Sequence, residues 1–242
     1  MIEYMKSSID IILPVYIKMF NCIFSSGIVP DSWLLENIKP IYKNKGDPLN
    51  PKNFHPITIL SCFGKLFTSI LLKRLNHYSE QFSVLNESQC GFRKGYSTVD
   101  NIFVLHSFFE LIKLKKKKLF AAFVDFEKAF DTVWRDALWS KLLINNINGK
   151  MYNVIYNMYQ NIKSRIVYNG KVSNYFDCNN GVRQAENFSH FLFSLYLNDL
   201  EQFVDENNAI GLMSLTEDLE QELDTYLKLF ILLCAIAILY FS

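Results

Sequence analysis

The sequence lacks several features that would place it at once in a class of protein. Its five cysteines form no CxxC pair and share no regular spacing, which disfavours a disulfide framework and predicts reduced thiols in an intracellular protein, in cytoplasm or nucleus. Its 25 Lys and Arg almost balance its 24 Asp and Glu, so net charge does not indicate a nucleic-acid partner. No internal repeat is evident. Half of the 242 residues are hydrophobic, which argues against disorder and suits one large domain or two small ones.

The stretch LFILLCAIAILYFS, residues 229–242, carries no charge but is short for a membrane span. A spanning helix needs roughly 20 apolar residues. The Ile, Phe and Tyr content favours strands instead. A membrane anchor over 226–242 therefore stays open as the alternative to a buried pair of strands. Residues 1–27 are predicted as an amphipathic helix, with a signal peptide as the second interpretation.

Hydrophobic periodicity and turn residues predict a mixture of helices and strands. The connection 43–52 is a basic loop with one Gly and two Pro. A helix over 98–114 is expected to be capped by Ser97 or Thr98. The dipeptide Asn169-Gly170 is a strong hairpin signal. The remaining predictions are an extended segment at 37–42, a hairpin over 165–176 and helices over 57–76, 152–162 and 181–200.

Asp125 lies at the end of a short apolar run, residues 119–126, which has the length of a buried strand. A carboxylate at such a position is costly to bury unless a cation meets it. Two interpretations stay open from the residues alone. Asp125 either pairs with Lys128 or caps the next helix, or it is a metal ligand.

Four segments in order resemble the reverse transcriptases of non-LTR (LINE-like) retrotransposons. The third segment matches that family's first catalytic carboxylate motif, and the resemblance runs from about residue 15 to the end. The segments are WLLENIKPIYKNKGDPLNPKNFHPITILSCFGKLFTSILLKRL (33–75), QCGFRKGYSTVDNI (89–102), FVDFEKAFDTVWRDALWSKL (123–142) and GVRQAENFSHFLFSLYLNDL (181–200).

The resemblance implies an α+β right-hand polymerase fold with fingers and palm, in which an antiparallel palm sheet packs on helices. Residues 1–115 would form the N-terminal helix and fingers region. Residues 116–242 would form an incomplete palm that ends at the catalytic hairpin, so no thumb is expected. The implied reaction is DNA synthesis on a DNA primer with an RNA template, assisted by two Mg²⁺ ions.

The resemblance also implies roles for individual residues. Asp125 would be the catalytic carboxylate and metal ligand. Phe130 would lie under the incoming sugar and Gln184 would line the nucleotide pocket. Lys43 and Arg93 would contact phosphate. The alternatives are core packing for Phe130, a surface helix for Gln184 and solvated loop charges for the two cations.

Several positions depart from the family pattern. In the family the hairpin carries an Ala-Asp-Asp sequence, but residues 229–242 contain no acidic residue. Two alignments are possible, one in which the two aspartates are replaced and one in which they are deleted. Ala185, His190 and His55 stand where the family has Gly, Pro and Arg. We therefore expect a reverse-transcriptase-like fragment that is catalytically inactive. The alternatives are a non-enzymatic nucleic-acid-binding remnant and a small protein tethered to a membrane through 226–242.

Overall fold

The computed structural model describes residues 9–116 and 128–206, with residues 3, 7, 124 and 126 as isolated positions. The described residues divide into two compact units. The first unit contains residues 9–77 and 128–193, and the second contains residues 78–116 and 194–206. The helices and strands together confirm an α+β chain. The boundary predicted at 115 and 116 stays a prediction.

The elements follow one another in chain order. The first half contains α1 (Ile9–Ser26), α2 (Asp31–Leu34), β1 (Leu35–Tyr42), a 3₁₀ turn (Pro51–Asn53), β2 (Phe54–Ile59), α3 (Cys62–Gln81) and α4 (Thr98–Leu114). The second half contains α5 (Arg135–Ile144), α6 (Gly149–Met158), β3 (Lys163–Tyr168), β4 (Lys171–Val172), β5 (Phe176–Asp177), α7 (Ser189–Tyr196) and α8 (Leu200–Glu206).

The sheet of the first unit has the order β2-β1-β3-β4, and β5 also pairs with β3. The pair β1 and β2 is antiparallel, whereas β1 and β3 are parallel, with Leu35 opposite Lys163. The parallel pair brings together strands that are more than a hundred residues apart in sequence. The antiparallel palm sheet was predicted from 119–126 and 229–242, and both segments lie outside the described residues except for positions 124 and 126.

The hairpin between β3 and β4 confirms the prediction from Asn169 and Gly170. Tyr168 pairs with Lys171, and the two residues between them have φ values of 48° and 74°. Two consecutive positive φ values are typical of the type I′ turn, whose twist matches that of the flanking strands. The turn therefore fixes the register of this pair.

Two helix predictions were wrong at their N-terminal ends. Residues 57–59 belong to β2, because Pro56 biases the residue before it toward extended backbone and the β-branched Ile57 and Ile59 pair with β1. The helix predicted over 181–200 begins at Ser189. Gly181 and Ala185 have φ values of +79° and +66°, which interrupt a helix. The helix predicted over 152–162 runs over Gly149–Met158.

An aromatic cluster lies between α1, α2 and α3 in the core of the first unit. The ring of Phe20 lies 6.3 Å from that of Trp33 and 5.4 Å from that of Phe67, measured between centroids. All three side chains are buried. This packing fixes the chain where α2 leads into β1. Helix α1 is also long and apolar enough to cross a membrane by length and composition, a test that core helices and N-terminal signal sequences pass equally.

The second unit is organised by side-chain caps and amides. The side chain of Ser97 caps α4 by accepting a hydrogen bond from the backbone N–H of Val99. The carboxylate of Asp100 in turn accepts a hydrogen bond from the backbone N–H of Ser97. The predicted cap is confirmed. Asn198 accepts from the backbone of Asn86 at 2.8 Å and donates to the carbonyl of Val84 at 2.7 Å. These bonds fix the loop that follows α3.

Candidate active site

Phe130 lies in a turn before α5 and is half-buried. Its ring centroid is 5.4 Å from that of His190, edge to face, and 5.1 Å from that of Phe193. Its carbonyl accepts a hydrogen bond from the backbone N–H of Val182 at 2.7 Å. The turn is therefore attached to the segment that precedes α7.

Gly181 makes that attachment possible. Its N–H donates to the carbonyl of Val133 at 2.9 Å. A Cβ placed on Gly181 would lie 2.7 Å from the carbonyl oxygens of both Phe130 and Asp131, and its φ is +79°. Only glycine combines this backbone conformation with so close an approach. The glycine of the GVRQ segment is thus explained by contact with the turn.

Gln184 contacts the same turn through its side chain. Its Nε2 donates to Oδ1 of Asp131 at 2.9 Å. The structure therefore brings Gln184 to the turn that carries Phe130, although the residues are more than fifty positions apart. Asp131 was not among the predicted site residues. Nothing in the sequence around it, Asp131-Thr132-Val133, indicates a contact with Gln184. The nucleotide roles of Phe130 and Gln184 stay predictions.

Arg183 points into the interior of the first unit, away from Gln184. Its Nε donates to Glu36 on β1, and its Nη2 donates to the carbonyl of Trp33 at 2.8 Å. Its Nη1 lies 3.2 Å from Oε2 of Glu186. The three charged side chains are 3%, 7% and 2% exposed. Burial this complete is sustained only because each charge has partners of opposite sign or a hydrogen bond.

Hydroxyl groups complete this buried cluster. Ser164 on β3 donates to Oε2 of Glu36 at 2.7 Å, and Thr68 on α3 donates to Oε1 of Glu186 at 2.6 Å. Ser189 donates to the carbonyl of Arg183 at 2.7 Å. Strands β1 and β3, helix α3 and the loop before α7 are thus joined by one set of polar contacts.

Arg135, at the start of α5, holds the segment leading to Gly181. Its guanidinium donates to the carbonyls of Cys178 and Gly181 at 2.8 Å and to that of Asn180 at 3.1 Å. It also donates to the carbonyl of Tyr159. Burial raises the pKa of the Tyr159 hydroxyl to about 12. Burial lowers the pKa of Arg135. Both Arg135 and Arg183 escaped the sequence analysis, because an arginine in a motif gives no sign of whether it is buried.

Lys43 lies in the connection between β1 and β2 and is exposed. Its backbone N–H donates to the carbonyl of Asn53 at 2.8 Å, and its Nζ donates to that of Lys52 at 3.0 Å. These bonds close the basic loop on itself, and the ammonium group remains at the surface. Contact with phosphate stays a prediction for Lys43.

Arg93 belongs to the second unit, and its side chain is only 6% exposed. Its Nε and Nη2 donate to the two carboxylate oxygens of Glu80 at 3.3 and 3.2 Å, and its Nη1 donates to the carbonyl of Asn86 at 3.0 Å. The guanidinium also lies 4.0 Å from the ring centroid of Tyr96. In this structure Arg93 holds together the loop that follows α3. Its predicted phosphate contact has not been tested.

Asp125 lies outside the described residues, as does the predicted hairpin over 229–242. Within the described ranges, no three His, Cys, Asp or Glu side chains are grouped so that they could hold a metal ion.

The three departures from the family pattern lie in different places. Ala185 has a φ of +66°, a conformation that glycine adopts at lower cost. His190 lies against Phe130. Partial burial lowers its pKa, and a hydrogen bond that the imidazole donates to the backbone of Asn187 opposes this shift in part. His55 is exposed on β2, opposite Ile41.

The sequence of residues 41–223 matches the family model described as "Reverse transcriptase (RNA-dependent DNA polymerase)". The match covers more than half of the chain. The curated relatives of the chain include polymerases of non-LTR elements. The chain belongs to the reverse transcriptase family, as a domain of the non-LTR retrotransposon type.

Three curated relatives define the similarity further. The RNA-directed DNA polymerase from mobile element jockey of Drosophila melanogaster is 24% identical over 182 residues, which are 75% of this chain and 20% of the relative. The Pol polyprotein of retrotransposable element R2 is 26% identical in Nasonia vitripennis, over 84% of this chain and 20% of the relative. An R2 polyprotein of Popillia japonica is 30% identical over 76% of this chain and 26% of the relative. The chain spans between 14% and 26% of the length of its curated relatives.

Proposed function

We propose that this chain is a reverse transcriptase domain that no longer polymerises DNA. The observation that carries the proposal is the absence of any carboxylate in residues 229–242, where the resemblance places the Asp-Asp pair of the catalytic hairpin. Asp125 is then the single catalytic acid. We further propose that residues 1–115 form the N-terminal helix and fingers and that the palm begins at residue 116.

The donor set does not fit a pair of magnesium ions. Mg²⁺ is bound by hard oxygen ligands in near-octahedral geometry, and two ions a few Å apart repel each other unless several carboxylates neutralise them. Divalent metal ions are general in the family, but one Asp125 carboxylate is too little charge for two of them.

The remaining residues are consistent with weak binding of nucleotide and nucleic acid. Phe130 offers an aromatic surface in this turn, and Gln184 brings an amide to the same turn through its bond to Asp131. Lys43 carries an exposed ammonium group for a phosphate. Arg93 is assigned a phosphate contact by resemblance, although its guanidinium already bonds to Glu80. The proposed partners are an RNA template and a DNA primer.

Primer extension tests the proposal. Purified protein, an RNA template, a labelled DNA primer, nucleotides and Mg²⁺ or Mn²⁺ are expected to give no extended primer. A second protein with Ile236→Asp and Ala237→Asp places the acid pair in one of the two alignments. Template-dependent incorporation by the natural sequence would overturn the proposal whatever the second protein does.

A nucleic-acid-binding remnant is the second candidate, and the exposed basic loop at Lys43 favours it. Phosphate contacts give an affinity that falls as salt rises. In a mobility-shift titration with an RNA–DNA duplex, Lys43→Gln is expected to weaken binding and to reduce the salt slope by about one. Lys150→Gln, at an exposed position of α6, is the control. Binding that is insensitive to salt would contradict this function.

We propose an intracellular location, in cytoplasm or nucleus. Among the described residues, Cys22, Cys62 and Cys178 are free thiols, as expected in a reducing compartment. The alternative is a membrane tether over 226–242. Flotation with liposomes, comparing the full chain with one truncated after Asp224, separates the two. Flotation of the full chain alone would support the tether.

A further inference from the structure

The loop between β5 and α7 places neighbouring side chains on opposite sides. Arg183 enters the interior, where Glu36 and Glu186 bind its guanidinium. Gln184, the next residue, turns toward Asp131. The direction in which Gln184 points is therefore tied to the anchoring of Arg183.

The backbone of this loop is fixed on both sides of Arg183. Before it, the N–H of Val182 donates to the carbonyl of Phe130. After it, the hydroxyl of Ser189 donates a hydrogen bond to the carbonyl of Arg183 at 2.7 Å. Because the anchors lie within the first unit, the loop has little freedom to rotate Gln184 away from the turn.

The energetics of the buried charges favour a role in geometry. Two carboxylates and one guanidinium are removed from water here, and the cost of desolvating such a cluster often exceeds the attraction it gains. Replacing such a cluster with apolar side chains of similar volume is often neutral or stabilising. The fork of an arginine, however, fixes direction in a way that neither an apolar side chain nor a lysine can.

We propose that Arg183, held between Glu36 and Glu186, is a positioning residue that presents Gln184 to the turn that carries Phe130, at the proposed nucleotide pocket. The inference rests on the proposed binding function of that pocket. Arg183 does not itself touch the nucleotide in this account. It acts through the backbone of the loop, so its effect on binding requires the side chain of Gln184.

A double-mutant cycle tests this dependence. A fluorescently labelled deoxynucleoside triphosphate is titrated onto the protein bound to an RNA template and a DNA primer. Arg183→Lys keeps the charge but loses the fork. Arg183→Lys and Gln184→Ala are each expected to weaken nucleotide binding about tenfold, and the double variant is expected to be no weaker than Gln184→Ala alone. Arg74→Lys, on the exposed face of α3, is the matched control.

The outcomes separate the two claims. If Arg183→Lys weakens binding equally in the presence and absence of the Gln184 side chain, the positioning role is wrong and the pocket stands. If neither Gln184→Ala nor Phe130→Ala changes binding, the pocket itself is wrong and the inference falls with it.

Glu36→Gln provides a second variant should Arg183→Lys fail to fold, because it keeps the shape and the acceptor oxygen but removes the charge. Amide hydrogen exchange gives a readout that does not depend on nucleotide. The N–H of Val182 is expected to exchange about tenfold faster in either variant while the amides of α6 keep their rates. A uniform acceleration across the first unit would show a general loss of stability and would contradict a positioning role.

Discussion

Gln184 donates a hydrogen bond to Asp131 at 2.9 Å across 53 positions of sequence. This contact joins the loop before α7 to the turn that carries Phe130. Two motifs recognised separately in the sequence thus form one local structure. The contact depends on Gly181, Val182 and Arg183, which hold the same loop against the same turn and against β1.

Gly181→Ala is expected to destabilise the protein by about 3 kcal/mol or more. The added Cβ would lie 2.7 Å from two backbone carbonyl oxygens, and the backbone has a φ of +79°. Both contacts are with backbone atoms, which cannot shift aside as the end of a flexible side chain can. Urea unfolding measures the difference in free energy.

Gly170→Ala is the control for backbone strain alone. Its φ is +74°, close to that of Gly181, but nothing lies within 4 Å of the added Cβ. It is expected to cost about 1 kcal/mol. Equal losses in the two variants would show that the close approach at Gly181 contributes nothing.

Ala185→Gly is expected to stabilise the protein by about 0.5–1 kcal/mol. Ala185 has a φ of +66°, and an L-residue pays more than glycine for the left-handed region. The greater freedom of glycine in the unfolded chain offsets part of the gain. Thermal unfolding of the two proteins gives the comparison.

Ala137→Gly, within α5, is the matched substitution at a helical position. It is expected to destabilise by about 1 kcal/mol, because glycine is a poor helix former. Destabilisation by both glycine variants would contradict the strain at residue 185.

His190 is expected to make stability depend on pH. Partial burial lowers its folded pKa below 6.5, the ordinary value. The unfolded chain therefore binds more protons between these two pKa values, so the free energy of unfolding rises with pH in that window. The contribution is fully present above pH 6.5 and is lost as pH falls through the folded pKa.

Unfolding titrations with urea from pH 5 to 8 check this dependence. His190→Gln is expected to flatten the change with pH relative to the natural protein. His77→Gln, at an exposed position of α3, is expected to keep it. A steeper dependence in His190→Gln would mean that the sign of the shift is reversed.

Arg93→Lys distinguishes a structural arginine from one that binds phosphate. The guanidinium bonds to both oxygens of Glu80 and to the carbonyl of Asn86, and its side chain is 6% exposed. Replacement by lysine is expected to cost about 2 kcal/mol of stability with little change in the salt dependence of RNA binding. Weaker RNA binding at unchanged stability would instead support the predicted phosphate contact.

Features set by neighbouring residues could be predicted from the sequence. The hairpin at Asn169 and Gly170 and the cap at Ser97 depend on residues next to each other, and both were found where expected. The start of α7 was predicted too early, because GVRQAEN has apolar spacing but contains two residues at positive φ. Positive φ at an alanine has no signature in the sequence.

Contacts between distant segments could not be predicted from residue patterns. Arg183 and Glu36 are 147 positions apart, and no periodicity says that a particular acid on β1 will meet a particular arginine in a loop. The pairing depends on the parallel arrangement of β1 and β3, which places Glu36 beside Ser164. The resemblance identified Gln184 and Phe130, whereas the residues that hold them required the structure.

The loss of the two-metal site is tested most directly by crystals of the protein with primer and template soaked in Mn²⁺. Anomalous scattering locates each ion without reliance on activity. The account predicts no pair of ions beside Asp125, because residues 229–242 supply no carboxylate. Two Mn²⁺ ions a few Å apart at Asp125 would contradict it.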